Sequence, residues 1–347
     1  MGRRDRSPRM TAALATTAVD GARRAGRFGA LAVSTLRRLL TMAVTLLVTS
    51  FVVFSSLYLA PGDPVSFLVR GRSPSPQEIA AIREQYGFND PFPERYWHWL
   101  QGVLQGDLGR SYLFHQSVDQ VLWSRLPASM LLVGTAALMI AVVGVGAGIV
   151  GALRRGTRTD TAVLLMVTVG AAVPSFVAAI TLRSVLGVRL GWFPTIGNGT
   201  GLLDRMHHVV LPAIALSVTF MALVTRVTRS AMLDELRREH VEVALSRGMS
   251  KSSVVRRHVL RNALGPIVTV SGLLVSGMLV STAIVETAFG MSGVGSLLVQ
   301  AVNEMDFQVV QAIVLLVVAA FVVVNTLVDL VYPLIDPRVA AAAGSAR

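Results

Sequence analysis

The chain has 347 residues, of which 53% are hydrophobic and 15% are charged. The charged share lies well below the roughly 25% that is usual in soluble domains, which excludes the pair of soluble domains that the length alone suggests. The absence of cysteine excludes disulfides, thiolate metal sites and cysteine nucleophiles. The net charge of +12 favours nucleic-acid binding only if the basic residues form one patch on a soluble domain.

A basic tail is followed by a first predicted membrane span. Residues 1–35 are rich in arginine and contain no apolar run, which predicts a disordered cytoplasmic tail. A transmembrane helix is predicted over 36–60, because the 22 residues from Leu39 to Ala60 carry no charge and are long enough to cross a bilayer. This run is too long for the apolar region of a cleaved signal peptide, so the helix is expected to remain on the protein.

Residues 61–125 are predicted to form an external insert after this helix. The insert contains the aromatic residues Tyr96, Trp97 and Trp99 in a short amphipathic stretch. Aromatic side chains next to a span are typically anchored among lipid headgroups; contact with a transported substrate is the alternative interpretation.

Residues 126–334 are predicted to form a core of five more spans. These spans cover about 126–153, 161–186, 209–231, 262–286 and 307–334. Several contain glycine or proline, which membrane helices tolerate where neighbouring helices approach closely and satisfy the backbone. The sequence therefore predicts an all-α integral membrane protein with six packed helices.

The basic residues predict the orientation of these spans. With the N-terminus inside, the segments expected in the cytoplasm carry 23 arginine or lysine residues and those expected outside carry eight. This asymmetry fits the positive-inside rule. We therefore expect a protein of the cell membrane with both termini in the cytoplasm, including the C-terminal tail 335–347, together with the long loop 232–261. Because this orientation accounts for the net positive charge, no nucleic-acid partner is expected.

The predicted spans lack the groups that usually mark ion coupling. Their uncharged runs contain no Asp, Glu, Lys, Arg or His, whereas ion-coupled carriers usually need such a residue at depth. Sodium sites built from carbonyls and hydroxyls are an exception. An ion-coupled transporter or channel, or a non-transporting membrane assembly factor, therefore remains as an alternative function.

No pattern in the chain predicts an enzyme. A nucleotide-binding G-x-x-x-x-G-K-[ST] sequence is absent, and so are the H-E-x-x-H and G-x-S-x-G patterns. No catalytic residue, cofactor or metal site is expected in this chain, and any ATP-Mg that drives it must be bound by a partner.

The loop 232–261 has a structured pattern of its own. Glu242-x-Ala244-x-x-x-Gly248 predicts a helix that stops at a glycine able to adopt the left-handed conformation. Ser250 then occupies the N-cap position of a second helix, Lys251–Leu260. From this pattern alone, docking of a partner protein and contact of an amphipathic helix with anionic lipid are both open.

This pattern is similar to the EAA loop of ABC-importer permeases, and the whole chain resembles the first permease subunit of the dipeptide/oligopeptide/nickel importers. The resemblance runs over about residues 36–338 and rests on a series of short motifs. These are Pro61-Gly-Asp-Pro64, Gly106-Asp-Leu-Gly109-Arg-Ser111, Pro174-Ser-Phe176, Leu190-Gly-Trp-Phe-Pro194, Leu211-Pro212, Thr228-Arg-Ser230, His258-x-Leu-Arg-Asn-Ala263, Glu286-Thr-x-Phe289, Gly293-x-Gly295, Asn325-x-x-x-Asp329 and Asp336-Pro-Arg338. The chain departs from the family at Met291-Ser292, where an aromatic-proline pair is common.

The resemblance implies a type I ABC permease fold of six helices with an external insert after the first. It also implies four kinds of partner besides the lipid bilayer: a second homologous permease subunit, two cytoplasmic ATPase subunits that bind ATP-Mg, and an external solute-binding protein. The substrate stays open among a dipeptide, an oligopeptide, glutathione, a nickel chelate or another solute.

The same resemblance implies an ATPase-coupling surface on the loop. The expected residues are Glu242, Ala244, Gly248, Ser250, Lys251, Val254, Val255, His258, Leu260 and Arg261. Small and hydroxyl residues of the spans are candidates for the pathway lining, with ordinary helix packing as the alternative. These candidates are Thr269, Ser271, Ser276, Ser281 and Asn325.

Overall fold

The computed structural model describes residues 36–37, 39–55, 75–85 and 89–335. Three of the predicted features lie outside these residues. They are the N-terminal tail 1–35, the start of the insert with Pro61-Gly-Asp-Pro64, and the C-terminal tail from 336 onward.

The described residues form helices that are labelled α1 to α11 in chain order. They are α1 (Leu39–Ser55), α2 (Pro76–Gln85), α3 (Phe92–Gln105), α4 (Val118–Leu153), α5 (Arg158–Ala172), α6 (Ser175–Arg189), α7 (Leu202–Leu236), α8 (Glu239–Ser246), α9 (Lys251–Ala288), α10 (Val294–Asn303) and α11 (Phe307–Ile335).

Four of the described helices, α4, α7, α9 and α11, are each long and apolar enough to cross a membrane. The consecutive helices α5 and α6 give a fifth candidate span if they are counted together. The apolar helix α1 has the position of the first predicted span but is shorter, and residues 56–60 of that prediction lie outside the described part. The structure thus confirms a mostly helical membrane protein, and six spans remain a prediction.

The third predicted span, 161–186, is not one straight helix. The chain bends by 100° between α5 and α6. Proline lacks an N–H and disfavours the helical conformation of the residue before it. Val173, which precedes Pro174, accordingly has φ −89° and ψ 113°. The hydroxyl of Thr219 on α7 donates to the carbonyl oxygen of Val173 at 2.9 Å and so satisfies a group that the break leaves free.

Three core helices begin earlier than the uncharged runs predict. Helix α4 begins at Val118 instead of 126, α7 at Leu202 instead of 209, and α9 at Lys251 instead of 262. The added turns carry charged residues, which the apolar-run criterion leaves out although they continue the same backbone helix. In α9 the added part is the expected short helix Lys251–Leu260, which joins the span through a π-helical turn at Val255–Val259.

Helices α4 and α7 approach each other closely along a line of small residues. A Cβ atom on Gly148 would lie 2.6 Å from the Cβ of Thr228 and 2.8 Å from the carbonyl oxygen of Thr225. One turn earlier α4 contains a π-helical turn at Ile140–Gly144. The hydroxyl of Thr225 donates to the carbonyl oxygen of Gly144 at 3.0 Å, at the end of this turn.

Helix α3 of the insert packs against α1 through aromatic rings. Phe54 of α1 lies 5.5 Å from Tyr96 and 5.3 Å from Trp99, measured between ring centroids. The hydroxyls of Ser50 and Tyr96 are 2.8 Å apart and share a hydrogen bond. Two of the three aromatic residues that were expected to anchor the insert in lipid therefore contact α1, while Trp97 is 57% exposed.

The buried apolar residues form clusters that follow one another along the bundle. One joins the start of α4 to α10 and α11, and includes Val118, Leu297 and Ile313. The largest lies between α4, α6, α7 and α9. A third surrounds α8 and the start of α9 at the opposite end. Helices α1, α5 and α6 also carry many exposed apolar side chains, as expected of a surface in contact with lipid or another membrane subunit.

The contact between α4 and α7 can be tested with two alanine substitutions on one helix. Gly148→Ala places a methyl group against Thr228 and is expected to lower the free energy of unfolding by about 1–3 kcal/mol. Gly146→Ala is the matched control, because its Cβ has nothing within 4 Å and alanine is favoured over glycine in a helix by about 0.5–1 kcal/mol. The thermal midpoints of the two purified variants in mild detergent measure the difference. Equal midpoints would contradict the close approach.

Candidate functional site

The expected coupling loop forms a hairpin of α8 and the start of α9, joined by a glycine turn. Gly248 has a φ of +81°. Its N–H donates to the carbonyl oxygen of Leu245 at 2.9 Å, and the N–H of Met249 donates to that of Ala244 at 3.3 Å. This pair of bonds is the Schellman motif, in which glycine is favoured because it adopts the left-handed conformation without a Cβ clash.

The second helix of the hairpin starts at the serine that the sequence predicts as its cap. Ser250 has extended backbone angles, and its side-chain oxygen accepts the N–H of Ser253 at 3.4 Å. A hydroxyl in this position satisfies one of the N–H groups that a helix start leaves free. The turn thus defines the end of α8 and the start of α9 within four residues.

One face of the hairpin is packed against the bundle. Val241 and Ala244 of α8 and Val254 and Val259 of α9 are all buried. They share an apolar cluster with Met232 near the end of α7 and with residues near the end of α4. Burial of each valine stabilises this contact by about 1.5–3 kcal/mol, so the hairpin is held firmly on the ends of α4 and α7.

The opposite face of the hairpin is exposed and combines apolar with basic side chains. Val243 and Leu245 are 48% and 40% exposed. Arg247 and Lys251 lie beside the turn and are exposed as well. We call this face, with Glu242, the hairpin surface. Exposed apolar side chains among charged ones make this surface a candidate for a protein contact.

The structure separates the predicted coupling residues into these two environments. Ala244 and Val254 belong to the buried face, and Val255, His258 and Leu260 are half-buried. The exposed ones are Glu242, Gly248, Ser250, Lys251 and Arg261.

A polar cluster braces the base of the hairpin. The carboxylate of Glu235, near the end of α7, accepts the side-chain N–H of Asn262 at 3.2 Å and lies 3.3 Å from the guanidinium of Arg238. The ring of His240 lies 3.8 Å from the same carboxylate and 6.4 Å from the ring of His258, measured between centroids. His258 therefore contacts the chain's own α8, whereas Arg261 is exposed.

An ion pair between α5 and α7, which sequence reasoning missed, lies close to the hairpin. Arg229 donates from Nε and Nη2 to the two carboxylate oxygens of Asp160, at 2.7 and 2.8 Å. Asp160 also accepts the N–H of Gly156 at 3.0 Å and is almost fully buried. The sequence Thr157-x-x-Asp160 has the capping-box pattern that marks a helix start, but the partner on α7 is 69 residues away.

Two buried carboxylates are found at the opposite end of the bundle. Glu286 of α9 accepts hydrogen bonds from the hydroxyl of Ser129 of α4 and from the backbone N–H of Ser296 in the first turn of α10. Asp306 accepts from the hydroxyl of Ser111 and from the N–H of Leu113 at 3.1 Å. The Gly-Asp-Leu-Gly-Arg-Ser motif of the insert is thereby fastened to the start of α11.

The candidate pathway residues form hydrogen bonds within their own helices. Thr269, Ser276 and Ser281 donate to the carbonyl oxygens four residues earlier in α9. Asn325 does the same in α11 at 2.9 Å. These bonds are compatible with either helix packing or a pathway lining, so a pathway role for these positions and Ser271 stays a proposal.

Comparison with known families identifies the chain. Residues 33–133 match the N-terminal domain of binding-protein-dependent transport system membrane components, and residues 144–341 match the inner membrane component itself. The chain therefore belongs to the binding-protein-dependent transport system inner membrane components, the permeases of ABC importers, as its motifs predict.

Curated relatives align along nearly their whole length. The glutathione transport system permease protein GsiC of Salmonella choleraesuis is 34% identical over 304 residues, which is 88% of this chain and 97% of the relative. The dipeptide transport system permease protein DppB of Alkalihalophilus pseudofirmus is 32% identical over 88% of this chain and 98% of its own length. A probable peptide ABC transporter permease protein of Sinorhizobium fredii, y4tP, is 33% identical with the same coverage.

A solved structure shares the fold. A chain of the MetNI methionine ABC transporter, crystallised in an inward-facing conformation, superposes with a TM-score of 0.51 at 16% identity. The superposition covers 62% of this chain and 96% of that chain. The helical core thus shares its fold with that chain.

The ion pair beside the hairpin gives a second prediction. Arg229→Gln leaves the buried carboxylate of Asp160 without its cation and is expected to lower the thermal midpoint by several degrees, because an unpaired buried charge is strongly unfavourable. Arg226→Gln on the same helix is the control, since Arg226 is exposed. Thermal unfolding of the two purified variants provides the comparison, and a fall of similar size in both would refute a specific role for the pair.

Proposed function

We propose that this permease forms half of the translocation pathway of an ATP-driven importer in the cytoplasmic membrane. A second, homologous permease subunit supplies the other half, and two cytoplasmic ATPase subunits dock on the hairpin surfaces. An external solute-binding protein delivers the substrate. ATP hydrolysis takes place on the ATPase subunits, and this chain is the transport component.

The two-faced hairpin is the observation that carries this proposal. Its buried face is packed on the ends of α4 and α7, and its second helix continues into the span α9. Its other face exposes Val243, Leu245 and basic residues. A partner that moves the hairpin therefore moves several span ends with it. The partner favours one state of the bundle only if its contacts with the hairpin differ between the two states.

The proposed substrate is a short peptide or a related small solute such as glutathione. The relatives at 32–34% identity are named as permeases for glutathione, dipeptides and peptides. Within this class the external binding protein is proposed to select the solute. The residues proposed for the pathway lining are small and uncharged, which suits a solute that is released rather than tightly held.

The proposed orientation places the hairpin and both termini in the cytoplasm. The hairpin and the ends of α4 and α7 are rich in arginine, as the positive-inside rule requires. The turn between α6 and α7, helix α10 and the insert with α3 then lie outside. In this arrangement α1 supplies the sixth span and enters from the cytoplasmic tail.

Co-purification tests the proposal against the two alternatives. The chain is expressed together with the ATPase, second permease and binding-protein subunits that are encoded beside it. The complex is then purified in mild detergent. Two ATPase chains in the purified complex, with ATP hydrolysis stimulated by the binding protein, are expected. Transport that needs only a cation gradient would favour the ion-coupled carrier, and a complex without any transport would favour the assembly factor.

Substitutions of Gly248 test the hairpin turn itself. Because Gly248 has a positive φ and open space around it, a side chain there is unfavourable through backbone strain of about 1–2 kcal/mol rather than through a clash. Gly248→Leu and Gly248→Pro are expected to block uptake of radiolabelled glutathione or dipeptide at normal membrane insertion. Gly248→Asn is the matched control and should retain most uptake, because asparagine tolerates the left-handed region. Unchanged uptake in Gly248→Leu at equal protein level would refute the assignment.

A further inference from the structure

Glu286 is a fully buried carboxylate at the end of α9 that is farthest from the hairpin. The hydroxyl of Ser129, on α4, donates to its Oε1 atom at 2.6 Å. The backbone N–H of Ser296, in the first turn of α10, donates to its Oε2 atom at 2.9 Å. The carboxylate therefore connects α9 to the next helix, α10, and to α4, whose Ser129 lies 157 residues earlier.

Glu286 and Ser129 together cap the N-terminus of α10. The side-chain oxygen of Ser129 accepts the N–H of Val294 at 2.8 Å, while Glu286 accepts that of Ser296. The first N–H groups of a helix have no partner within it and carry a partial positive charge, which favours a carboxylate at this position. The start of α10 is thus held by side chains of α9 and α4.

Two glycines allow α10 to lie directly on this carboxylate. A Cβ atom on Gly293 would collide with the carboxylate of Glu286, and one on Gly295 would lie 2.5 Å from the backbone nitrogen of Ala283. Glu286, Gly293 and Gly295 therefore act as one unit: the two glycines provide the space, and the carboxylate provides the bonds. The departure from the family at Met291-Ser292 leaves this contact in place.

The hairpin and Glu286 are at opposite ends of one continuous helix. Helix α9 runs for 38 residues from Lys251, beside the glycine turn, to Ala288. At 1.5 Å per residue its length is about 57 Å. The helix is continuous through its π-helical turn at Val255–Val259 and through Pro266, so it gives a direct path for a displacement from the hairpin to the far end of α9. Helix α10 is joined to α9 by the short segment 289–293, by the packing of Gly295 on Ala283 and by the bonds of Glu286.

We propose that Glu286 is the positioning residue that couples the outer helix α10 to the motion of α9, through its bonds to Ser296 and Ser129. The inference rests on the proposed function, because it needs ATPase subunits that displace the hairpin. Glu286 contacts neither nucleotide nor the hairpin and acts through α10. When the ATPase dimer closes, α10 and the outer part of α4 move with α9 as one body.

The substitution Glu286→Gln removes this coupling at almost constant volume. Glutamine has one carbonyl oxygen as an acceptor and an amide group that can only donate. The groups around Glu286 include the Ser129 hydroxyl and the Ser296 N–H, both of which donate to it. Glutamine therefore offers one acceptor atom where the carboxylate offers two, and it carries no charge, so the polar hold on the start of α10 is weakened.

The movement of α10 can be followed without knowledge of the substrate, because the chain contains no cysteine. Val302→Cys introduces one thiol at a half-exposed position of α10. The complex with its ATPase subunits is reconstituted in liposomes, and the rate of labelling of this chain by a membrane-impermeant maleimide is measured without nucleotide and after trapping with ATP and vanadate. We expect the two rates to differ at least threefold when Glu286 is present, and by less than 1.5-fold with Glu286→Gln.

Two further variants separate positioning from a general loss of structure. Thr287→Val is the matched control on the next residue, because Thr287 is exposed and its hydroxyl bonds only within α9, to Ala283; it should keep the full nucleotide-dependent difference. Ser129→Ala removes a bond to Glu286 from another helix and should reduce the difference to an intermediate value. In all variants the ATPase subunits should co-purify and hydrolyse ATP.

Two results would overturn the inference. One is a full nucleotide-dependent difference in Glu286→Gln, and the other is equal labelling rates in both nucleotide states when Glu286 is present. Failure of the ATPase subunits to bind the parent chain would instead refute the proposed function. The two failures are therefore distinguished in the same preparation.

Discussion

The structure depends on one constraint: inside a membrane, every backbone group that leaves the helical hydrogen-bond ladder must find a partner within the protein. This chain leaves the ladder at several places in its core, and side chains of neighbouring helices provide the partners. Thr225 bonds the carbonyl of Gly144 beside the π-turn of α4, and Thr219 bonds that of Val173 at the break between α5 and α6. Both threonines belong to α7, the central helix against which α4, α5, α6 and α9 pack. The irregular helices are thus assembled around one regular helix.

Near the ends of the bundle, charged side chains likewise form hydrogen bonds between neighbouring helices. Asp160 and Arg229 join α5 to α7 near the hairpin, and Glu286 joins α9, α4 and α10 at the far end. The two carboxylates are placed where a helix begins, Asp160 at the start of α5 and Glu286 beside the start of α10, so they also accept free backbone N–H groups. The bundle therefore has strong polar connections at its two ends and mostly apolar packing between them.

In the proposed function, the hairpin of α8 and α9 is the place where a partner acts on the bundle. Its buried valines attach it to the bundle, and its exposed apolar and basic residues are free for a partner. Membership of the importer permeases supplies the class of partner, and the absence of a nucleotide-binding sequence in the chain agrees with ATP being bound elsewhere. The turn at Gly248 joins the two helices within four residues, and there is open space beside the glycine itself.

Much of the fold and part of the site could be predicted from the sequence, because those features depend on residues close together in the chain. The length of apolar runs determined the membrane class and the positions of the core spans, and the order of short motifs determined the family. Gly248 and Ser250 were predictable as the end of one helix and the cap of the next, since their bonds span three to five residues. The tertiary structure decided which coupling residues are buried, how sharply the chain bends at Pro174, and that the second hairpin helix continues into α9. It also decided the roles of Glu286 and Asp160, whose partners Ser129 and Arg229 lie 157 and 69 residues away. A buried carboxylate is stable only where the fold brings donors to it, and no local pattern specifies which distant residues those donors will be.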